Sequence, residues 1–390
     1  MNYRQVILCL GGKLSMATSR QQLNHQRKYE ALLPSLPEYV RDYILVLEEN
    51  ERSASTILNY VIDIKSFLEW LQIQGIADEG PIKDISHEVL ATLPLDAARA
   101  YFNQVSNEEI QVSRFETKKR ERASVNRKKS ALRSLFKYLT TQTEQGNGEP
   151  LFHRNVMQKI AVIKPKETLN ERSRKLADTI FQEDDDVAFL LYLQQEYERS
   201  LSDRQRSYFL RDKERDFAIL SLFLGSGIRL NELADIRLRD LHVQNSSISV
   251  IRKGNKMDSV YVIPEVFEDI ANYLAVRKQR YEGTDSEHEY LFLSKYKKQA
   301  TPLSVRTIQD LVRKYTKAYR KEMSPHKLRH TYATNLMGES KDLSLVMEQL
   351  GHSSTSTSVL YVHSTQEKAK RAAEALGARR NQTQSNKEEI

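Results

Sequence analysis

The chain is 390 residues long, 39% hydrophobic and 29% charged, which suits an ordinary globular protein with room for two domains. Its net charge of +8 admits a polyanionic partner, nucleic acid or membrane surface, without choosing between them. The single cysteine, Cys9, excludes an intrachain disulfide and a cysteine metal cage within one chain, and points to a reducing, cytoplasmic setting.

Residues 1–28 mix Gln, Ser and Asn with few apolar anchors and read as a poorly ordered N-terminal extension, with Met16 as an alternative start. The apolar run Val6–Leu10 is too brief for a signal peptide, and no segment nears the roughly 18 apolar residues a membrane span needs. From Leu36 helical spacing begins. Ile57, Tyr60, Val61, Ile64, Leu68 and Leu71 recur at helical intervals, with Ser53 or Ser55 as N-cap and Gly75 as the stop. Another helix is expected over Leu95–Val105.

Between Gln111 and Thr140 lie ten Lys or Arg against two Glu, a local excess equal to that of the whole chain. A solubilising helix face mixes its signs. This bias instead suits a surface that faces nucleic acid, with Lys118, Lys119, Arg120, Arg127, Lys128, Lys129 and Arg133 as candidates. A helix over Ser124–Thr143 would bury Leu132, Leu135, Phe136 and Leu139. The Gly- and Pro-containing segment Gln145–Pro150 breaks the chain. The polar stretch that follows, to about Lys175 and including Lys164–Lys166, reads as an interdomain linker. Helices are then expected at Val187–Glu198 and Asp212–Leu224. A hairpin of Ser247–Arg252 and Ser259–Ile263 follows, turning through Lys253–Lys256. Further helices are expected at Val266–Arg280, Val305–Tyr319, Lys327–Met337 and Leu343–Leu350. The tail, Asn381–Ile390, is polar and reads as disordered.

Three motifs carry chemistry-bearing residues. In Ser324–Thr334, His326, Arg329 and His330 share one helix face. Arg329 offers a planar donor fork suited to two phosphate oxygens. His326 and His330 also have the i, i+4 spacing of zinc ligands, but Lys327 stands where a zinc protease carries Glu and would repel the metal. Downstream, Gln349-Leu-Gly-His352 precedes Tyr361 by nine residues; upstream, Gly227-Ile-Arg229-Leu-Asn-Glu-Leu233 places an arginine at a helix start. Taken singly, each is weak.

Together, in the order Arg229, Lys253, His326-x-x-Arg329, His352, Tyr361, they resemble the tyrosine recombinase (phage integrase) family. The resemblance covers roughly residues 177–370 and fills all six of the family's active-site positions. It implies a mainly α fold: a helical, SAM-like core-binding domain followed by a mixed α/β catalytic domain with a small antiparallel sheet. The implied division is an extension (1–28), a core-binding domain (29–145), a linker (146–176), a catalytic domain (177–370), and a C-terminal helix end and tail (371–390). The resemblance further implies that Tyr361 attacks a DNA phosphate to give a 3′-phosphotyrosine. Arg229 and Arg329 would neutralise the phosphate, His326 act as base and Lys253 protonate the leaving oxygen. His352 would hydrogen-bond the phosphate, and Glu232 support the site. No metal or nucleotide is expected, because the arginines replace the metal and the covalent bond retains the energy. Partners would be double-stranded DNA and three further copies, as a homotetramer on two sites, with Ser364–Leu376 as a docking helix.

Residues Gly148–Met157, Lys164–Thr168 and Asp212–Asp216 are similar to one branch of that family, the XerS recombinases. That branch implies resolution of chromosome dimers before division, with an FtsK-type translocase as partner. A mobile-element integrase of the same chemistry is the alternative. A type IB topoisomerase or a non-catalytic DNA-binding regulator stands further off.

Overall fold

A computed structural model describes residues 19–113, 116–163, 167–252, 256–282, 288–297, 299–351, 358, 360 and 361. The chain divides after Pro165 into two compact units.

The first unit is built from helices α1 (Arg20–Leu32), α2 (Glu38–Glu49), α3 (Ala54–Ile73), α4 (His87–Thr92), α5 (Leu95–Asn107) and α6 (Arg122–Thr141), with a hairpin of β1 (Glu109–Ser113) and β2 (Glu116–Lys119). In α3 the Ser53 hydroxyl accepts from the Thr56 N–H, and Ile57, Val61, Ile64, Leu68 and Leu71 are buried at helical spacing. In α6 the expected stripe Leu132, Leu135, Phe136 and Leu139 is fully buried. These side chains meet Phe67, Trp70, Tyr101 and Phe102 in one core.

The second unit runs α7 (Leu169–Ala177), α8 (Asp185–Gln195), α9 (Asp203–Ser226), α10 (Leu230–Ala234), β3 (Leu241–His242), β4 (Ser247–Arg252), β5 (Lys256–Tyr261), α11 (Glu265–Arg277), β6 (Leu293–Tyr296), β7 (Gln299–Pro302), α12 (Val305–Tyr319), α13 (Pro325–Ser340) and α14 (Leu343–Leu350). Strands β3, β4 and β5 form an antiparallel sheet in that order, and β6 pairs with β7. The C-terminal part of α9 is buried throughout from Ala218 to Ser226, which makes this helix the spine of the core. The mainly helical fold with small antiparallel sheets is the one the sequence led us to expect.

Several boundaries differ, each for a physical reason. The segment read as a poorly ordered extension already carries a helix from Arg20. Only Tyr29 is buried in it, its hydroxyl donating to Glu48 Oε1 at 2.7 Å, so its order comes from packing rather than from its own pattern. The linker reading also fails over most of its length. Phe152, Val156, Met157 and Ile160 belong to the first unit's core, and Thr168 with Glu171 forms a capping box that starts α7. Helix α9 begins nine residues before the expected Asp212, at a second capping box from Ser202 and Gln205. Strand β5 begins at Lys256, not Ser259. Its early side chains are exposed, and the pairing Arg252↔Lys256 rather than burial forms it. The β1–β2 hairpin within the basic stretch was not anticipated. Val6–Leu10, Lys164–Lys166, Ser364–Leu376 and the tail lie outside the described residues, among which no helix is long and apolar enough to cross a membrane.

Candidate active site

Helix α9 stops at Gly227, whose φ of +63° is left-handed. A Cβ here would come within 2.4 Å of the Tyr332 ring, so glycine alone fits. Buried Ile228 then anchors the chain and delivers Arg229 to the N-cap of α10. The Arg229 main-chain N–H donates to Glu232 Oε2 (2.9 Å) and its Nη1 to Glu232 Oε1 (2.8 Å). Its side chain stays 36% exposed, so one face remains open to a ligand.

Helix α13 starts on Ser324-Pro325, with proline in the first turn where no N–H is missed. One turn in, Arg329 is 3% exposed. It donates to the carbonyls of Gly227 (2.6 Å) and Leu350 (2.5 Å), tying the end of α9 to the end of α14. The rings of His326 and His330 lie edge to face with centroids 4.3 Å apart. His330 Nδ1 is 2.7 Å from Tyr361 Oη. The Tyr361 ring is buried with Ala333, Val346 and Leu350, against Leu176 of α7. Ser173 of α7 donates to the carbonyl of Leu360, next to the tyrosine, at 3.1 Å. The stretch expected to be linker thus helps to seat the phenol.

The C-terminal end of α14 organises the cations. A helix end leaves carbonyls without N–H partners and carries partial negative charge. Here guanidinium groups supply the donors. Arg229 bonds Gly351 O (2.8 Å), Arg252 bonds Leu350 O (3.1 Å) and Gln349 O (2.9 Å), and Arg329 bonds Leu350 O as well. Arg252 also reaches Asp258 (2.9 Å) and Glu232 (3.3 Å). The Gln349 amide braces this end, donating to Ser226 O and Tyr261 O and accepting from Tyr261 N.

The local charge is unbalanced: Arg229, Arg252 and Arg329 face one buried carboxylate, Glu232, and the partly exposed Asp258. Burial and the nearby Arg229 pull Arg329 down to about 9, still charged at neutral pH. Burial, with Arg329 and Arg229 beside it, pushes His326 below its usual value, so that ring is neutral. Burial lifts Tyr361 to about 12, with Arg329 working the other way. Such a site attracts an anion and presents it with a protonated phenol and a neutral imidazole.

Of the residues singled out from sequence, the structure brings together Arg229, Glu232, His326, Arg329 and Tyr361; Lys253 and His352 lie outside the described residues. Arg252, His330, Gln349 and Ser173 were given no role from sequence. The first three lie inside the motif words around Lys253, Arg329 and His352; Ser173 carries no signal beyond being polar. The basic candidates of the first unit separate into two kinds. Lys118 and Lys119 are exposed on β2. Lys128 instead is buried against Asp63 (3.2 Å), where Arg127 joins it (3.0 Å), so Lys128 does not present a surface charge. Arg120 pairs with Glu108 (2.7 Å), while Lys129 and Arg133 hydrogen-bond the carbonyls of Ala161 and Ile160.

Comparison with known proteins agrees. The phage integrase family matches residues 193–368, and the phage integrase N-terminal SAM-like domain matches residues 40–143. The tyrosine recombinase XerS of Lactococcus lactis subsp. cremoris (strain MG1363) is 37% identical over 350 residues, covering 89% of this chain and 97% of its own. That of Streptococcus pyogenes serotype M5 (strain Manfredo) is 37% identical over 90% of this chain and 98% of its own. The crystal structure of the XerH site-specific recombinase bound to palindromic difH substrate shares the fold, with a TM-score of 0.56 at 20% identity over 82% of this chain and 80% of that one. The matched catalytic region contains all six positions from Arg229 to Tyr361, and with relatives this similar over nearly their whole length the chain belongs to the phage integrase family of tyrosine recombinases, in its XerS branch.

Proposed function

We propose that this recombinase cuts and rejoins double-stranded DNA at a specific site through a 3′-phosphotyrosine on Tyr361, and thereby resolves chromosome dimers to monomers before cell division. A phosphodiester repels nucleophiles because its non-bridging oxygens are charged. Arg229 and Arg329 neutralise that charge as it builds in the transition state. The family pattern assigns base, leaving-group acid and phosphate-contact roles to His326, Lys253 and His352, and Glu232 holds Arg229. The observation that supports this reading best is the convergence of both arginines on one helix end, with Arg329 electrostatically coupled to Tyr361.

The phosphotyrosine conserves the energy of the broken bond, so a free 5′-hydroxyl reseals the strand without a nucleotide. Exchange between two duplexes requires four cleavable strands, hence four copies of Tyr361 and a tetramer on two sites. An FtsK-type translocase fits the XerS-like role.

The test is covalent trapping on nicked DNA. The wild-type protein should form a denaturation-resistant adduct in the presence of a metal chelator, and Tyr361→Phe should form none. Absence of any adduct on DNA recovered from the protein's own cells would favour a non-catalytic regulator. Relaxation of a supercoiled plasmid without two-site recombination would favour a topoisomerase. Sequencing the trapped DNA decides the biological role: a chromosomal terminus region supports dimer resolution, and the ends of a mobile element overturn it. Recombination that persists undiminished without the translocase would remove that partner.

A further inference from the structure

A proton can be removed only by a group that touches it, and the histidine in contact with the phenol is not the one the family pattern designates. His330 Nδ1 lies 2.7 Å from Tyr361 Oη, within the range of a strong O–H···N hydrogen bond. Both side chains are buried, at 8% and 2% exposure, so bulk water is a poor substitute acceptor. His326 sits one helical turn earlier, and the charges that act on it are those of Arg329 and Arg229. Its ring packs on His330, and no hydrogen bond joins it to the phenol among the described residues.

We propose that His330 is a second catalytic histidine, which takes the phenolic proton as Tyr361 attacks the phosphorus and leaves His326 to serve the phosphate. This rests on the reading of Tyr361 as the nucleophile. In the proposed step the His330 tautomer with its proton on Nε2 accepts from the phenol at Nδ1. As the Oη lone pair forms the O–P bond, the Oη–H bond breaks and its proton passes to Nδ1, giving an imidazolium. The P–O5′ bond breaks with its electron pair on O5′, which takes a proton from Lys253. Resealing runs the same steps in reverse. The tyrosine holds its proton well above neutral pH, so the transfer needs a positioned acceptor rather than prior ionisation. The charge of the incoming phosphate offsets the positive charge of the imidazolium so formed.

The experiment measures single-turnover cleavage by the full-length protein. The probe is a nicked duplex carrying the sequence recovered with the trapped wild-type enzyme, and binding to it is measured in parallel. His330→Asn keeps an acceptor near the Nδ1 position but takes no proton. Its cleavage rate at neutral pH should fall by about 10²-fold or more, with binding unchanged. Between about pH 6 and about pH 8.5 its rate should climb about tenfold per unit as hydroxide replaces the base, while the wild-type rate flattens. Among the described residues, the titratable groups in contact with His330 are Tyr361 and His326. Should His330→Asn fold poorly, His330→Gln is read in the same way. Wild-type cleavage by either variant, or a pH profile that is lowered but parallel to wild type, overturns the proton-acceptor role while the nucleophile reading stands. No adduct with the wild-type protein overturns both.

Discussion

The catalytic unit contains two buried clusters of charge, and they are opposites. Around Arg215 one buried arginine meets two buried carboxylates, and the more exposed Arg211 adds a pairing to Asp212 (2.6 Å). The Arg215 guanidinium pairs with Asp216 (2.7 Å) and Asp212 (3.4 Å), while Tyr281 and Tyr315 donate to the same two carboxylates, and Lys314 reaches Asp216 at 3.6 Å. Burial opposes the Arg215 charge, but Asp216, Tyr281 and Asp212 outweigh it and hold the group above its usual range. Around Arg329 two buried arginines, Arg329 and Arg252, share one buried carboxylate, Glu232, and burial with Arg229 pulls Arg329 down instead. Both clusters sit on well-packed helices. A closed set of ion pairs holds a fold together, whereas a buried excess of one sign marks a place for a ligand of the other.

The contrast breaks most sharply in activity. Replacing Arg329 with Met should lower single-turnover DNA cleavage by about 10³-fold, the scale of a lost transition-state donor. Arg215→Met should leave cleavage by the folded fraction near wild type. In urea unfolding the order reverses. Arg215→Met leaves buried Asp216 and Asp212 with only the more exposed Lys314 and Arg211 as cationic partners and should cost about 3 kcal/mol. Arg329→Met takes a donor from the Gly227 carbonyl, while Leu350 O keeps Arg252, and it also removes an uncompensated charge, so it should cost about 1 kcal/mol. Equal losses of stability would show that the two clusters do the same structural work.

A smaller effect tests the seat of Tyr361. Ser173→Ala removes one buried hydrogen bond to Leu360 and should cost about 1 kcal/mol, read as faster amide exchange around Tyr361 with unchanged DNA affinity. The smallest is a pH effect. Because His326 is held below its ordinary value of about 6.5, the unfolded chain protonates there first. Stability of the free protein should therefore fall as pH drops below about 6.5, with His326→Gln removing that part of the slope. A bound phosphate should shift the loss to lower pH if it stabilises the protein without protonating His326, and abolish it if it draws a proton onto the ring.

Much of this was legible in residue order. Helices α3 and α6 follow from apolar spacing, and α12 and α14 match their expected limits residue for residue. The site motifs stand out because Arg229, His326, Arg329 and Tyr361 occur in a distinctive order, and a resemblance then joins them. Helix α1, the segment Phe152–Ile160 and α7 were missed, since sparse apolar residues in a polar context become a core only when other elements arrive to cover them. Lys128 was misjudged for the same reason. Nothing near it in sequence announces Asp63, which sits on another helix and draws it inside.

By itself the amino-acid order determined the class of fold, the family and the residues that stand at its active-site positions, because these depend on local periodicity and on motif words. Only the tertiary structure decided which helix end the arginines share, that Arg252 joins them, and that His330 rather than His326 touches the phenol. Those are contacts between segments tens to more than a hundred residues apart, set by how Gly227 and Gly351 turn the chain and how α7 packs beneath Tyr361. A one-dimensional pattern carries no distances between such segments.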